Sequence, residues 1–325
     1  MAVNPDGIFA LGEEGFSQYA IEVFHFQYSH NPIYKAFVDT LGVRPQSVDS
    51  ISAIPFLPVR FFKSHEVKTT SFVPQITFES SGTTGLESSR HCVRDIRIYE
   101  RSFRSGFERF YGPAGNWCIL GLLPSYLERE NSSLVFMVDN LIRRSGHPMS
   151  GFYLNDFDRL FYTLKELERS GQKTLLVGVT FALLDFAEQF SLPLEHTIVM
   201  ETGGMKGRRK ELTRREVHEL LQKRFGARPI HSEYGMTEML SQAYSRSAGL
   251  FEPVPWMKIL VRPEDDPLSV LLSGEGILNI IDLANIYSCS FIASDDSGVV
   301  SENGIFEVSG RVDRSDMRGC SLLVV

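Results

Sequence analysis

The stretch Glu79-Ser80-Ser81-Gly82-Thr83-Thr84-Gly85 packs four hydroxyls and two glycines into seven residues. Gly82 and Gly85 allow positive φ and close approach of the backbone to a ligand. Ser80, Ser81, Thr83 and Thr84 add hydroxyls to successive N–H groups, a donor set suited to phosphate oxygens. Residues 73–78 alternate in polarity as a strand does, so the loop is expected to leave a sheet edge. It is not a Walker A loop, because no Gly-Lys-Ser/Thr closes it, and the chain contains no Gly-x-Gly-x-x-Gly fingerprint. On these residues alone a Ser/Gly surface loop is an equal alternative.

Four further clusters follow: Glu201-Thr202-Gly203-Gly204, Ser232-Glu233-Tyr234-Gly235-Met236-Thr237-Glu238, Ser294-Asp295-Asp296-Ser297-Gly298 and Gly310-Arg311-Val312-Asp313. Each has a structural alternative; Asp295 to Gly298, for example, reads locally as a hairpin turn. Four cysteines, Cys92, Cys118, Cys289 and Cys320, show neither Cys-x-x-Cys pairing nor zinc-like His spacing. Cys118 and Cys289 fall in apolar strand-like runs and read as inert thiols. Cys320 instead lies among Arg311, Arg314 and Arg318, whose field favours the thiolate.

In this order the clusters resemble the motifs of the adenylate-forming superfamily of acyl-CoA synthetases, peptide-synthetase adenylation domains and firefly-type luciferases. Within it the chain is similar to the LuxE-type acyl-protein synthetases over most of its length. The stretches carrying that likeness include Leu123-Pro124-Ser125-Tyr126-Leu127-Glu128-Arg129, Met200 through Arg209, Ile280-Ile281-Asp282-Leu283-Ala284-Asn285 and Arg318-Gly319-Cys320-Ser321.

The resemblance implies ATP and Mg2+ as cofactors and assigns roles by position. Ser80, Ser81, Gly82, Thr83, Thr84 and Gly85 would hold the β- and γ-phosphates. Thr237 and Glu238 would flank the α-phosphate, with Glu238 the magnesium ligand. Gly203, Gly204, Tyr234 and Gly235 would border the adenine, and Asp296, with Asp295 as runner-up, would accept from the ribose hydroxyls. Arg311 would contact the nucleotide. Cys320 would take the acyl group as a thioester, for delivery to an acyl reductase or other acceptor protein. Two departures stand out. The superfamily's usual loop lysine is missing from Gly85-Leu86-Glu87-Ser88-Ser89-Arg90-His91, leaving Arg90 or His91 as substitutes, and the usual C-terminal domain is expected to be absent. The implied reaction is activation of a fatty or similar carboxylic acid to acyl-AMP. Acyl transfer to coenzyme A or a carrier protein, and an inactive nucleotide-binding scaffold, are the alternatives.

The elements that must position these residues follow from periodicity. Helices are expected over 13–26, 95–110, 132–144, 156–169, 182–190 and 211–225, with a further one from Pro32 to the stop at Gly42. Between them short apolar runs at 118–123, 174–179, 197–200 and 229–232 read as buried strands. Residues 45–63, with Pro55 and Pro58, suit an extended crossing segment. After Trp256 the pattern changes to strands near 257–261, 276–282, 288–293 and 305–308. The fold class is therefore α/β: the large N-terminal domain of the adenylate-forming superfamily, layered mostly parallel sheets with helices, and a small C-terminal β-rich subdomain. The expected organisation is one domain over 1–309, divided into a helical start (1–63), an α/β core (64–250) and a β-rich part (251–309), then a hinge-like tail (310–325) carrying Cys320.

Composition sets the outer bounds. At 325 residues and 43% hydrophobic content the chain can bury a substantial core. A net charge of −7 without a basic block argues against nucleic acid as a partner. No apolar run reaches the ~18 residues of a membrane span, and Met1-Ala2-Val3-Asn4-Pro5-Asp6-Gly7 has no basic segment leading into an apolar one, so a cytoplasmic location is expected. Oligomeric state and acid chain length stay open.

Overall fold

The computed structural model describes residues 3, 5–80, 88–123, 131–203, 212–226 and 228–311. The amino-terminal helices α1 (Glu13–His30) and α2 (Pro32–Thr40) meet at Asn31, whose side chain accepts from the Tyr34 N–H while Pro32 fills a position that needs no donor. The Pro-containing crossing segment then supplies strand β1 (Leu57–Pro58) and the short helix α3 (Phe61–Ser64). A two-stranded hairpin follows, β2 (Ile76–Glu79) and β3 (Arg90–Val93), antiparallel with Glu79 opposite Arg90. Residues 81–87 join its strands and lie outside the described residues.

The α/β part runs through α4 (Ile96–Tyr111), β4 (Cys118–Leu122), α5 (Ser133–Ser145), β5 (Gly151–Phe152), α6 (Phe157–Ser170), β6 (Thr174–Gly178), α7 (Thr180–Gln189), β7 (Thr197–Glu201), α8 (Arg214–Phe225) and β8 (His231–Tyr234). Local chemistry sets these boundaries. Asp95, Ser132 and Asp156 cap α4, α5 and α6, and Thr213 with Glu216 forms a capping box on α8. Helix α8 starts at Arg214, inside the expected span. Strands β4 and β6 are buried at every residue, as befits parallel strands covered on both faces.

The remaining strands are β9 (Ala243–Ser245), β10 (Leu250–Pro253), β11 (Met257–Arg262), β12 (Gly274–Asp282), β13 (Phe291–Val300) and β14 (Phe306–Arg311). Among the described residues twelve strands form one sheet in the order β11-β12-β13-β14-β10-β9-β8-β7-β6-β4-β5, with β1 added in parallel to β13. It is parallel from β5 to β8 and antiparallel from β8 to β11. The β-rich part thus continues the same sheet. Right-handed crossovers put α5 on one face and α6, α7 and α8 on the other. Ring contacts agree: Tyr99 and Phe103 of α4 pack on Phe136 of α5, while Phe186 of α7 meets Phe157 of α6 and Phe225 of α8.

The structural alternative for the Asp295 cluster does not hold. Asp295 to Gly298 is no hairpin turn but the interior of β13, paired with both β12 and β14. Partners on two sides outweigh local turn chemistry, and Gly298 is needed because a Cβ there would collide with the Glu307 carbonyl of β14.

The amino-terminal helices are tied to distant chain. Gln27 donates to the carbonyls of Asn285 and Ile286 and accepts from the Ser290 N–H, and Asn31 donates to the Ser288 carbonyl. Phe24 and Tyr34 pack against Phe291.

Candidate active site

The carboxyl ends of β7 and β8 lie side by side, the edge at which open α/β sheets bind ligands. Tyr234 closes β8 and is buried; its hydroxyl donates to Asp296 Oδ2 at 2.9 Å. Burial, reinforced by the Asp296 carboxylate, pushes the Tyr234 phenol well above its ordinary value. Asp296, on β13, is 5% exposed, and its Oδ1 accepts from Arg311 Nε at 2.9 Å. Pairing of β13 with β14 sets Asp296 directly opposite Arg311. The Arg311 side chain remains 57% exposed, so one end of this ion pair faces solvent.

Glu238 follows four residues after Tyr234 and is buried, with Thr237 beside it in sequence. Burial raises its pKa; the neighbouring Ser89 hydroxyl and the charge of Arg311 counter this in part. No cation forms an ion pair with Glu238 among the described residues. Ser89 connects the carboxylate to the Ser/Gly loop: its N–H donates to Ser80 Oγ at 2.9 Å and its carbonyl accepts from the Ser80 N–H at 3.0 Å. Ser80 and Ser89 therefore close the base of the loop next to Glu238. His91, two residues further along β3, is also buried, which pushes its imidazole down to about 4 and leaves it neutral at physiological pH. It cannot replace the missing loop cation; of the two substitutes, only Arg90 is exposed.

At the end of β7, Gly203 has φ +73°, a left-handed conformation suited to glycine. Its N–H donates to Glu201 Oε2 at 2.7 Å, and its carbonyl accepts from the Thr180 N–H. Glu201 is buried, which opposes ionisation, but His218, the Arg214 guanidinium, Ser232 and the Gly203 N–H outweigh that and hold its carboxyl down to about 2. Arg214 Nε lies 3.1 Å from Glu201 Oε1 and also reaches the Val308 carbonyl of β14, bracing the strand that ends in Arg311.

Glu233, beside Tyr234, points to the opposite face of β8 and sits across from Tyr244 of β9. Burial pushes its carboxyl up to about 8, with a smaller push from Glu201. A Cβ at Gly235 would lie 2.6 Å from Glu233 Oε1, so a larger residue there would displace the Glu233 carboxyl.

The structure thus joins Ser80, Glu238, Tyr234, Asp296 and Arg311 through short links, with Gly235 and Thr237 in the same chain segment and Gly203 on the adjacent strand end. Ser81, Gly82, Thr83, Thr84, Gly85, Gly204 and Cys320 lie outside the described residues. Cys118 and Cys289 are fully buried, and burial pushes their thiols up to about 11 and about 12. Sequence reading did not assign Ser89, Glu201, Arg214, Asn285 or Asp282 to the site. Asp282 is the clearest omission: buried at the end of β12, it accepts from the Leu240 and Ser241 N–H groups and the Ser241 hydroxyl, fixing the backbone just past Glu238. An Asp inside an otherwise apolar strand end was the available signal.

The donor set fits magnesium. Among the described residues no group of three or more His, Cys, Asp or Glu could form a protein cage for a metal. A single buried carboxylate without an ion-pair partner, next to a hydroxyl-rich loop, matches a cation that takes one or two carboxylates and completes its shell with phosphates and water. No helix among the described residues is long and apolar enough to cross a membrane.

Comparison with known proteins adds three findings. The family profile described as "Acyl-protein synthetase, LuxE" matches residues 12–325. The long-chain-fatty-acid–luciferin-component ligase of Aliivibrio fischeri is 23% identical over 330 positions, covering 93% of this chain and 85% of that protein. Among solved structures, an ATP-bound RpMatB-BxBclM chimera aligns at TM-score 0.55 and 16% identity, over 74% of this chain and 49% of its own. ATP-bound MatB from Rhodopseudomonas palustris aligns at TM-score 0.53 and 15% identity, over 75% of this chain and 50% of its own. The chain spans about half the length of these solved structures, and the likeness shows the fold of the adenylate-forming N-terminal domain.

Proposed function

The chain belongs to the LuxE family of acyl-protein synthetases, and from that premise we propose that it uses ATP to activate a fatty acid as an acyl-adenylate and passes the acyl group to its own Cys320. The observation that carries this reading is the pair of short links from Ser80 through Ser89 to Glu238, and from Tyr234 at the carboxyl end of β8 through Asp296 to Arg311.

In the first step a carboxylate oxygen attacks the α-phosphorus of ATP and pyrophosphate leaves. Loop N–H groups and hydroxyls, Ser80 among them, hold the departing phosphates. Bound magnesium would supply positive charge to the phosphate oxygens, with Glu238 as its protein ligand and Thr237 beside it. Asp296 accepts from the ribose hydroxyls, and Arg311, already on Asp296, contacts the nucleotide. Tyr234, Gly235, Gly203 and Gly204 border the base. In the second step the Cys320 thiolate attacks the acyl carbonyl, the bond to phosphate breaks, and AMP departs; the thioester stays activated for an acyl reductase or another acceptor. The A. fischeri relative is named for transfer to a luciferin component, which supports an acceptor protein as partner here.

Intact-mass spectrometry after incubation with ATP, Mg2+ and a mixture of fatty acids tests this directly. The expected result is one acyl adduct, labile to hydroxylamine and dependent on ATP. In a parallel incubation supplied with coenzyme A, acyl-CoA formation with no protein adduct would replace this reading with a ligase.

A further inference from the structure

We propose that His91 is a positioning residue for the Thr237–Glu238 segment, holding the metal-facing carboxylate in register with the loop that precedes His91; this rests on the nucleotide role of Glu238 given above. His91 Nδ1 lies 2.8 Å from the Thr237 carbonyl and Nε2 2.9 Å from Asn285 Oδ1; both oxygens only accept, so the neutral ring donates to one of them, and positioning of Thr237 requires the proton on Nδ1. Asn285 Nδ2 donates to the Glu238 carbonyl at 2.7 Å and the Cys289 carbonyl at 2.9 Å. One side-chain pair thus holds the carbonyls of two consecutive residues, Thr237 and Glu238. His91 and Asn285 are both buried, and the Phe62 ring meets the imidazole edge-on, 5.9 Å between centroids and 89° between planes, which fixes its rotation.

The placement of His91 gives this pair its significance. It lies on β3, two residues after Ser89, whose backbone closes the loop base on Ser80. A shift of the β2–β3 hairpin moves the imidazole, and the imidazole carries the carbonyl before Glu238 with it. The Ser80–Ser89 base of that loop and the carboxylate that would hold the metal are therefore mechanically one unit. Asp282 secures the same segment from its far side, through the Leu240 and Ser241 N–H groups. The backbone of residues 237–241 is held at both ends by side chains that touch no substrate.

The test is calorimetric titration of ATP into full-length wild type, His91→Leu, His91→Asn and His91→Gln, each with Mg2+ and with EDTA. Ligand-free melting temperature records folding, and acid-dependent pyrophosphate exchange by wild type serves as a separate arm. Asn places its amide N–H near the position of Nδ1 and keeps the donor to Thr237; Gln reaches toward Asn285 and loses it. We expect His91→Leu and His91→Gln to weaken ATP binding about tenfold in Mg2+, the lower end of the effect of removing a group that supports a metal ligand, with little change in EDTA. His91→Asn should recover most of the loss. Equal weakening in Mg2+ and EDTA, or Gln binding as well as Asn, would overturn the proposal, and the Asn–Gln contrast decides it even where His91→Leu does not fold. Wild type lacking any Mg2+ enhancement would overturn it too. Wild type that binds ATP·Mg2+ but exchanges no pyrophosphate with any acid would sink the acid-activation reading and leave the positioning role standing on the same binding data.

Discussion

Arg311 and Asp296 face each other directly on β14 and β13, joined Nε to Oδ1 at 2.9 Å. Since Tyr234 occupies the other carboxylate oxygen, both oxygens of Asp296 are oriented before any nucleotide binds. On the reading proposed above, an incoming ribose would meet an acceptor already aimed and lose little in ordering it.

Replacing that acceptor should therefore be costly. Asp296→Ala should weaken ATP binding by tenfold or more, the counterpart of leaving buried hydroxyls unpaired at about 1–3 kcal/mol. Asp295→Ala should have a smaller effect. Asp296→Ala also leaves the Tyr234 hydroxyl without its acceptor, so melting temperature should be read beside nucleotide titration, with Asp296→Asn retaining the shape. A larger loss from Asp295→Ala would move the ribose contact by one residue.

Glu238→Gln keeps shape and removes charge. We predict near-normal melting temperature, since burial already disfavours the ionised form, together with at least a tenfold fall in carboxylate-dependent pyrophosphate release, the scale of losing one electrostatic contact in a transition state. An unchanged rate would remove Glu238 from the site.

Two buried carboxyls should shape the pH dependence of stability in opposite directions. Glu233 is raised to about 8 from an ordinary 4.5, so its contribution is complete below about pH 4.5 and is lost as pH rises through 8. Glu201 is lowered to about 2, so its contribution is present above pH 4.5 and is lost as pH falls through 2. Glu233→Gln should flatten a urea-denaturation profile between about pH 4.5 and 8 and leave the more acid limb alone. A profile that stays steep in that range would mean that Glu233 is already ionised in the folded protein. Opposite it, the buried Tyr244 hydroxyl has no hydrogen-bond partner among the described residues, so Tyr244→Phe should be neutral or stabilising by up to about 1 kcal/mol.

Among the cysteines, Cys118 and Cys289 should resist iodoacetamide at neutral pH until the protein unfolds, because burial keeps them as thiols. Cys118→Ala and Cys289→Ala should retain the acyl adduct. Cys320→Ala should keep acyl-adenylate formation and lose the hydroxylamine-labile adduct; an adduct that survives in this variant would end the carrier role of Cys320.

Much of the fold was legible because its signals are local. Asp95 before α4 and Gly112 after it, or Gly226 after α8, mark ends through capping that needs no tertiary partner, whereas periodicity puts the start of α8 at Glu211 and passes over the Thr213 cap. Strands β9 and β10 were not legible: at three and four residues they carry too short an alternation, and pairing with β8 and β14 stabilises them. In the site, the Tyr-Gly-x-Thr-Glu segment and Asp296 were legible as motifs. The tie from His91 to Asn285 spans 194 residues, and no periodicity within either segment could announce it.

The bonds from Gln27 to residues 285–290, and the pairing of β1 with β13, also bear on how the protein is made. Gln27 precedes its first partner by 258 residues. At roughly 5–20 residues per second of synthesis, the two leading helices emerge many seconds before the strand that buries Phe24 and Tyr34. During that interval their apolar faces must be shielded by transient local collapse or by a chaperone. Docking of these helices consequently waits for chain made 258 residues after Gln27.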